Sequence, residues 1–374
     1  MLSGVYLTLM IGPTVPVPAP LPVMEALKSV QVSSSKERTG FQLTFTVGKT
    51  SPLQLAMLPA GYFDPILTRV VILVTMNGMP RVLMDGIITR QEISPSNDPG
   101  QSTLTVTGED LSVLMDIIEI KIPYPAMPVA ARVALILAKY AAFGIVPVVV
   151  PPVGDAPPLP TEEIPVQTGS DREYIKGLAS QCGYVFFVEP GPAPLTSTAY
   201  FGPDVPIPLP MPAMSVNMDW QTNVESLSFS LDGLAKKIVV ITIFDPVTKK
   251  IPIPIPIPNV SILHPPLGLR LTPPAKIQFP DDMANLSPAD ALERAFGLML
   301  NNSDAITGNG SLNTTQYGFI LQTRAVVGVR GAGPAYDGLY YINSVTHNIK
   351  SGEYKQSFTL SRDGLISQVP VVGP

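Results

Sequence analysis

The chain is short of the residues that build catalytic and metal centres: it has one cysteine and two histidines in 374 residues. A single cysteine, Cys182, excludes an internal disulfide framework and a Cys-rich zinc site, and His264 and His347 alone do not make a His-built metal centre. Charge is scarce too. Only 14% of residues are charged, and the net charge of −5 comes with no basic tract. That excludes the electrostatic footprint of a nucleic-acid binder, so no nucleic-acid specificity is expected. The first charged residue is Glu25, but Pro13, Pro16, Pro18, Pro20 and Pro22 interrupt the apolar start, which also lacks the basic opening of a signal peptide. We expect no membrane segment and no signal peptide, and therefore synthesis in the cytoplasm.

What is abundant is apolar. Hydrophobic residues make up 45% of the chain, and there are 43 prolines, roughly twice the usual share of about 5%. Disordered chains are polar and charged, so this composition argues for a folded protein, and the length for two or three domains. A free monomer with so few charges would expose large apolar patches, which usually mark protein–protein contact. Composition thus points to a subunit of something larger.

The first segment reads as β. Val5 to Ile11, Phe41 to Val47, Arg69 to Thr75, Arg81 to Met84 and Ser102 to Thr107 have strand patterns, and Asn77-Gly78 supplies a tight hairpin turn. Asp110 to Ile118 reads as a short helix. From about 120 the pattern becomes α+β. Pro128 stands where a first-turn proline would start a helix over Val129 to Phe143, with Gly144 as its stop. Ser170 and Glu173 form a capping box, Gly183 ends that helix, and Val185 to Val188 reads as a buried strand. Glu225 to Leu231, Lys237 to Phe244, Gly318 to Val329, Leu339 to Ile349 and Tyr354 to Leu360 return to β. Between them Ser287, Pro288 and an apolar face signal a helix over about 285 to 302.

Two further patterns stand out. Asp85-Gly86 with Leu104-Thr105-Val106-Thr107 matches Asp337-Gly338 with Phe358-Thr359-Leu360-Ser361 at nearly equal spacing. A duplicated β domain explains this, and so do two unrelated hairpins that share a favoured turn. Three tracts, Val15 to Pro22, Val205 to Pro212 and Ile251 to Pro258, alternate proline with a small or aliphatic residue. Such a tract can be an edge strand with one backbone edge intact, or an unpaired polyproline II connector.

Signs of chemistry are few. No Gly-x-Ser-x-Gly elbow surrounds any serine. Gly328, Gly331 and Gly333 sit between strands and read as turn glycines. Glu162 and Glu163 are adjacent in a Pro-rich loop, which is not the separated pair of a glycosidase. Cys182 lies on the apolar stripe of a helix. These readings yield no catalytic, cofactor-binding or metal residues and no cofactor.

The stretch Leu104 to Leu111, with its strand–Gly–x–Asp–Leu junction, resembles phage late control D proteins. Asp171 to Val188 resembles a helix-then-strand signature shared with valine-glycine repeat spike proteins, and Tyr336 to Arg362 resembles the ending of the same family. The resemblance implies a structural baseplate hub of a contractile phage tail or tail-like injection system, not an enzyme. It implies a homotrimer with two tube-like barrels per subunit, giving a ring of six between a six-fold tail tube protein and a three-fold spike protein, with other baseplate subunits around it. The alternative is a tail-associated cell-wall-degrading enzyme. Fused spike members continue past the second barrel, so the spike is expected to be a separate polypeptide and this protein to end in the baseplate of a virion or tail-like particle.

The expected fold is α+β, mainly β: two tube-like antiparallel β barrels with an inserted α+β domain and a short helical insertion. The expected boundaries are 1–120 for the first barrel, 121–205 for the inserted domain, 206–265 with 313–365 for the second barrel, 266–312 for the helical insertion and 366–374 for a C-terminal tail.

Overall fold

The computed structural model describes residues 4–368 except 37, 99, 153, 162–163, 206–210, 245–251, 258–265 and 279–303. The chain opens with β1 (Val5–Pro13), β2 (Val17–Pro18), α1 (Leu21–Ala26), β3 (Leu27–Ser35), β4 (Thr39–Thr46), β5 (Thr68–Met76), β6 (Met79–Ser94) and β7 (Thr103–Asp110). An α+β stretch follows: β8 (Glu119–Pro123), α2 (Val129–Ala138), β9 (Ile145–Val149), β10 (Val166–Ser170), α3 (Asp171–Cys182), β11 (Val185–Pro190) and β12 (Ser197–Gly202). The remainder comprises β13 (Met214–Ser215), β14 (Ser226–Leu231), β15 (Lys237–Phe244), β16 (Pro252–Ile257), β17 (Gly268–Leu271), β18 (Lys276–Gln278) and β19 (Ile306–Asn313). It ends with α4 (Thr314–Tyr317), β20 (Val326–Arg330), β21 (Gly338–Lys350), β22 (Glu353–Arg362) and β23 (Gly364–Ser367). The fold is α+β and mainly β.

Local chemistry explains many boundaries. Asn77 and Gly78 take φ of 52° and 81°, the left-handed pair that a twisted two-residue hairpin between β5 and β6 requires. Ser170 accepts from the Glu173 N–H while the Glu173 carboxylate takes the Ser170 N–H, and Gly183 closes α3 at φ 68°. Strand β5 is buried on both faces. Val70, Ile72 and Val74 enter the first core, and Val71 and Leu73 pack with Val82 on the other side.

Some expectations shift. The helix expected over Val129 to Phe143 is α2 followed by a separate 3₁₀ turn at Ala141–Phe143. Pro128 caps α2 instead of opening it, because the Asp155 carboxylate accepts from the Val129 and Ala130 N–H groups at 2.6 and 3.0 Å. Asp110 caps a 3₁₀ turn, Leu111–Asp116, through the Ser112 N–H. Gly318 to Val329 is strand only from Val326. Residues 319 and 321 bond instead to the Gln356 side chain, whose amide donates to the Phe319 carbonyl and accepts from the Leu321 N–H. Within 266–312 the described residues include β17, β18 and β19, and the Ser287-Pro288 helix signal lies outside the described residues. Glycines 308 and 310 hide β19 in the sequence: they lie beside the rings of Phe229 and Phe358, where a Cβ would approach within 2.8 and 2.7 Å.

The two β regions share one strand order, although the two-residue β13 runs parallel to β20 whereas β1 runs antiparallel to β5. Numbered along the chain, β1, β3, β4, β5, β6 and β7 lie side by side in the order 2-3-6-5-4-1, and so do β13, β14, β19, β20, β21 and β22. The duplication is therefore present, but the Asp-Gly motifs do not align it. Pairing to the preceding strand ends at Arg69↔Ile87 in one unit and Val326↔Tyr341 in the other. The β-bulge falls between Ile88 and Arg90 in one and between Ile342 and Ser344 in the other. Both landmarks match Ile87 with Tyr341, which leaves Asp85-Gly86 two residues out of step with Asp337-Gly338. Asp85 is a buried mid-strand residue, whereas Asp337 precedes β21 and accepts from the Ala332 N–H.

Three buried clusters follow this division. One holds Leu9, Val30, Leu43, Phe45 and Ile72 of the first unit. A second holds Val133, Ile136, Ile175, Phe186 and Phe201, and the third Ile306, Val327, Tyr340, Ile342 and Phe358.

Of the proline tracts, Val17–Pro18 pairs with β1, and Pro20 then caps α1. Among the described residues the backbone of β16 pairs with β15 alone, at the end of the three-stranded order β16-β15-β18, as an alternate-proline edge strand should. The isoleucine side chains of that tract, and most of Val205 to Pro212, lie outside what is described.

Candidate functional site

The two β units are fused edge to edge. Strand β3 pairs antiparallel with β21 from Ser35↔Ser344 to Ser29↔Lys350, making one sheet of thirteen strands. Small hydroxyls meet on both faces of this seam: Ser33 lies 3.2 Å from Thr346 on the outer face, and Ser34 lies 3.2 Å from Thr323 on the inner one. On the inner face Val30, Val32 and Ile349 are buried.

Arg324 ties the seam to the α+β insert. Its backbone sits at φ 62°, a conformation disfavoured for an arginine, and its side chain is 3% exposed. The guanidinium lies 3.5 Å above the Phe187 ring, ion-pairs with Glu189 and donates to the Lys36 carbonyl at 2.8 Å. One side chain thus touches both β units and β11. Burial raises the Glu189 carboxyl above its ordinary range, partly offset by the Arg324 charge.

Beside it a cavity of about 80 Å³ is lined by Ser34, Thr39, Arg81, Glu189, Thr323 and His347 among others. Arg81 crosses it to donate to the Ile320 carbonyl at 2.9 Å. His347 is buried, 3.0 Å from the Tyr354 hydroxyl, and burial with the nearby Arg81 charge pushes its pKa down to about 3. This buried imidazole, whose charged form burial disfavours, packs the inner face of the seam beside the tyrosine hydroxyl.

Two more ionic groups bind the insert to the first unit. Arg172 reaches Asp116 at 3.1 Å and Glu109 at 3.4 Å, and Asp116 also accepts from the Ser170 hydroxyl. Arg69 and Asp85 form a fully buried bidentate pair, both bonds 2.7 Å, with Ser197 of β12 3.4 Å from the same carboxylate. The Gly–x–Asp–Leu junction has a structural reason at each position. A Cβ on Gly108 would lie 2.3 Å from the Ile87 carbonyl oxygen, Asp110 caps the 3₁₀ turn, and Leu111 is buried in the insert core.

The remaining sequence candidates do not converge. Cys182 is buried in α3, Gly331 and Gly333 are positive-φ turn residues after β20, and His264, Glu162 and Glu163 lie outside the described residues. Arg324 and Asp155 carried no sequence signal, since their partners are distant in the chain. No helix among the described residues is long and apolar enough to cross a membrane.

No protein-family model matches the sequence, and no curated protein matches it. Solved structures do. A 43 kDa tail protein of prophage MuSo2 from Shewanella oneidensis superposes with a TM-score of 0.63 at 11% identity, over 96% of this chain and 99% of that one. A tail protein from Neisseria meningitidis gives 0.60 at 14% identity, over 97% and 98%. A component of the Escherichia coli type VI secretion system, described as structurally similar to T4 phage tail proteins, gives 0.51 at 12% identity, over 93% and 77%. End to end, this chain has the fold of phage tail proteins.

Proposed function

We propose that the protein is a structural baseplate hub of a contractile phage tail or tail-like injection system, a homotrimer that adapts the six-fold tail tube to the three-fold spike. The observation that carries this reading is the repeated 2-3-6-5-4-1 unit: three chains with two such units each supply six nearly equivalent positions. The shared fold with phage tail proteins supports the same assignment. The charged groups of the junction serve cohesion, since each is tied to a partner across it, and the reading assigns no catalytic residue and no cofactor. The tail tube protein, the spike protein and other baseplate subunits are its partners, and the baseplate of the assembled particle is its location.

Native mass measurement of the purified protein, alone and with its tube and spike proteins, tests this. The expected species is a trimer that binds both. A monomer that binds neither would overturn it.

A further inference from the structure

The geometry points to a specific seam between copies of this chain: β14 of one copy adds to the free edge of β6 in the next, repeating between molecules the β3–β21 seam inside each. The inference rests on the hub reading and deepens it by naming the contact.

The argument follows from the duplication. In the second unit β21 is covered on one edge by β22, and on the other by β20 up to Tyr341 and by β3 from Ser344 onward. In the first unit β6 is covered on one edge by β7, and on the other by β5 only up to Ile87. Among the described residues nothing takes the place of β3 beside Arg90–Ser94. The counterpart of β3 is β14, which pairs with β19 and with no other described strand. Each copy therefore has one joined seam and the two unjoined halves of another.

The register can be read across the ladders. Arg90 pairs with Thr107, Thr107 with Gln42, and Gln42 with Gln31. At the same positions of the second unit Ser344 pairs with Thr359, Thr359 with Asn309, and Asn309 with Ser228. Ser228 is thus the equivalent of Gln31, which pairs with Asn348 four residues past Ser344. Four residues past Arg90 is Ser94. The intermolecular pairs are then Ser94 with Ser228, Ile93 with Phe229, Glu92 with Ser230 and Gln91 with Leu231.

The side chains suit this placement. Ser226-Leu227-Ser228-Phe229-Ser230 repeats the β3 scheme, with Leu227 and Phe229 turned toward their own core as Val30 and Val32 are. Ile93 and Leu231 are large apolar residues left 44% and 42% exposed, and their counterparts flank the closed seam. Edge strands usually carry proline or lysine to block addition, and β14 has neither. A head-to-tail contact of this type closes into a ring when the rotation allows.

The test is a cysteine pair, Glu92→Cys with Ser230→Cys, exposed on the outer face as Ser33 and Thr346 are at the internal seam. Under mild oxidation we expect reductant-sensitive links between copies and loss of most of the monomer band. The pair Glu92→Cys with Ser226→Cys, four residues out of register, should link at least tenfold less. Native mass is read on the same samples. An oligomer without the Glu92–Ser230 link, or with equal linking of both pairs, overturns this seam and leaves the hub reading standing. A monomer in every sample overturns both.

Discussion

Replacing Arg324 with methionine should loosen both β units and the insert together. The substitution keeps most of the apolar stem but removes the guanidinium from Phe187, Glu189 and the Lys36 carbonyl. A cation–π contact in a desolvated site is worth about 2 kcal/mol, and a hydrogen bond to a charged group about 1.5–3 kcal/mol. The buried Glu189 loses its counter-charge, and breaking one side of a buried pair costs about 3–5 kcal/mol in all. These contributions overlap, so about 4 kcal/mol is the expected total. At about 1.4 kcal/mol per tenfold, that is on the order of a thousandfold increase in local opening. Hydrogen exchange read by mass spectrometry should show protection falling together in β3, in β11 and in residues 319–326. Glu189→Gln should cost less, about 1.5–3 kcal/mol, because the amide oxygen can still accept from the guanidinium although the counter-charge is lost. A loss of less than tenfold, confined to residues next to 324, would refute the idea that this side chain joins three parts of the molecule.

Asp85→Ala should cost about 3–5 kcal/mol in urea unfolding by stranding the buried Arg69, whereas Arg69→Met with Asp85→Leu should recover most of it; a double variant as unstable as the single would contradict this. His347 has a folded pKa of about 3, below its ordinary value, so the stability it contributes is complete above about pH 6.5 and is lost as pH falls toward 3. The loss approaches about 1.4 kcal/mol per pH unit, and His347→Gln should remove that part of the slope between pH 6 and pH 4; an unchanged slope would show that His347 is not its source.

How far the sequence revealed this molecule depended on the reach of each interaction. The capping box at Ser170, the stop at Gly183 and the Asn77-Gly78 hairpin are settled by residues within a few places of each other, and each reads directly. The Asp155 cap of α2 and the Gln356 clamp on residues 319 and 321 join distant segments, so local patterns there pointed to an earlier helix start and a longer strand. The duplication was visible as an idea and wrong in its detail. Asp-Gly recurs because it suits turns, while the equivalence of the units lies in strand order and bulge position. Cores tolerate broad apolar substitution as long as volume and pattern persist, so topology outlasts sequence identity. The seam between β3 and β21 joins the two ends of the chain and leaves no local trace at all.

The scarcity of charge and the excess of proline are then two sides of one constraint. A largely β protein must keep its strand edges from pairing with the wrong chain, and lysine is the usual guard. Here that residue is uncommon, with lysine and arginine together numbering 24, and proline stands at edges instead. The two-residue β2 ends on Pro18 beside β1, and β16 alternates proline along its length with one neighbour among the described residues. Proline guards an edge by deleting donors, without adding a charge that a buried assembly surface would have to desolvate. Strand β14, which pairs with β19 alone among the described residues, carries neither guard. Its backbone edge therefore keeps every donor and acceptor that the proposed addition to β6 of another copy requires.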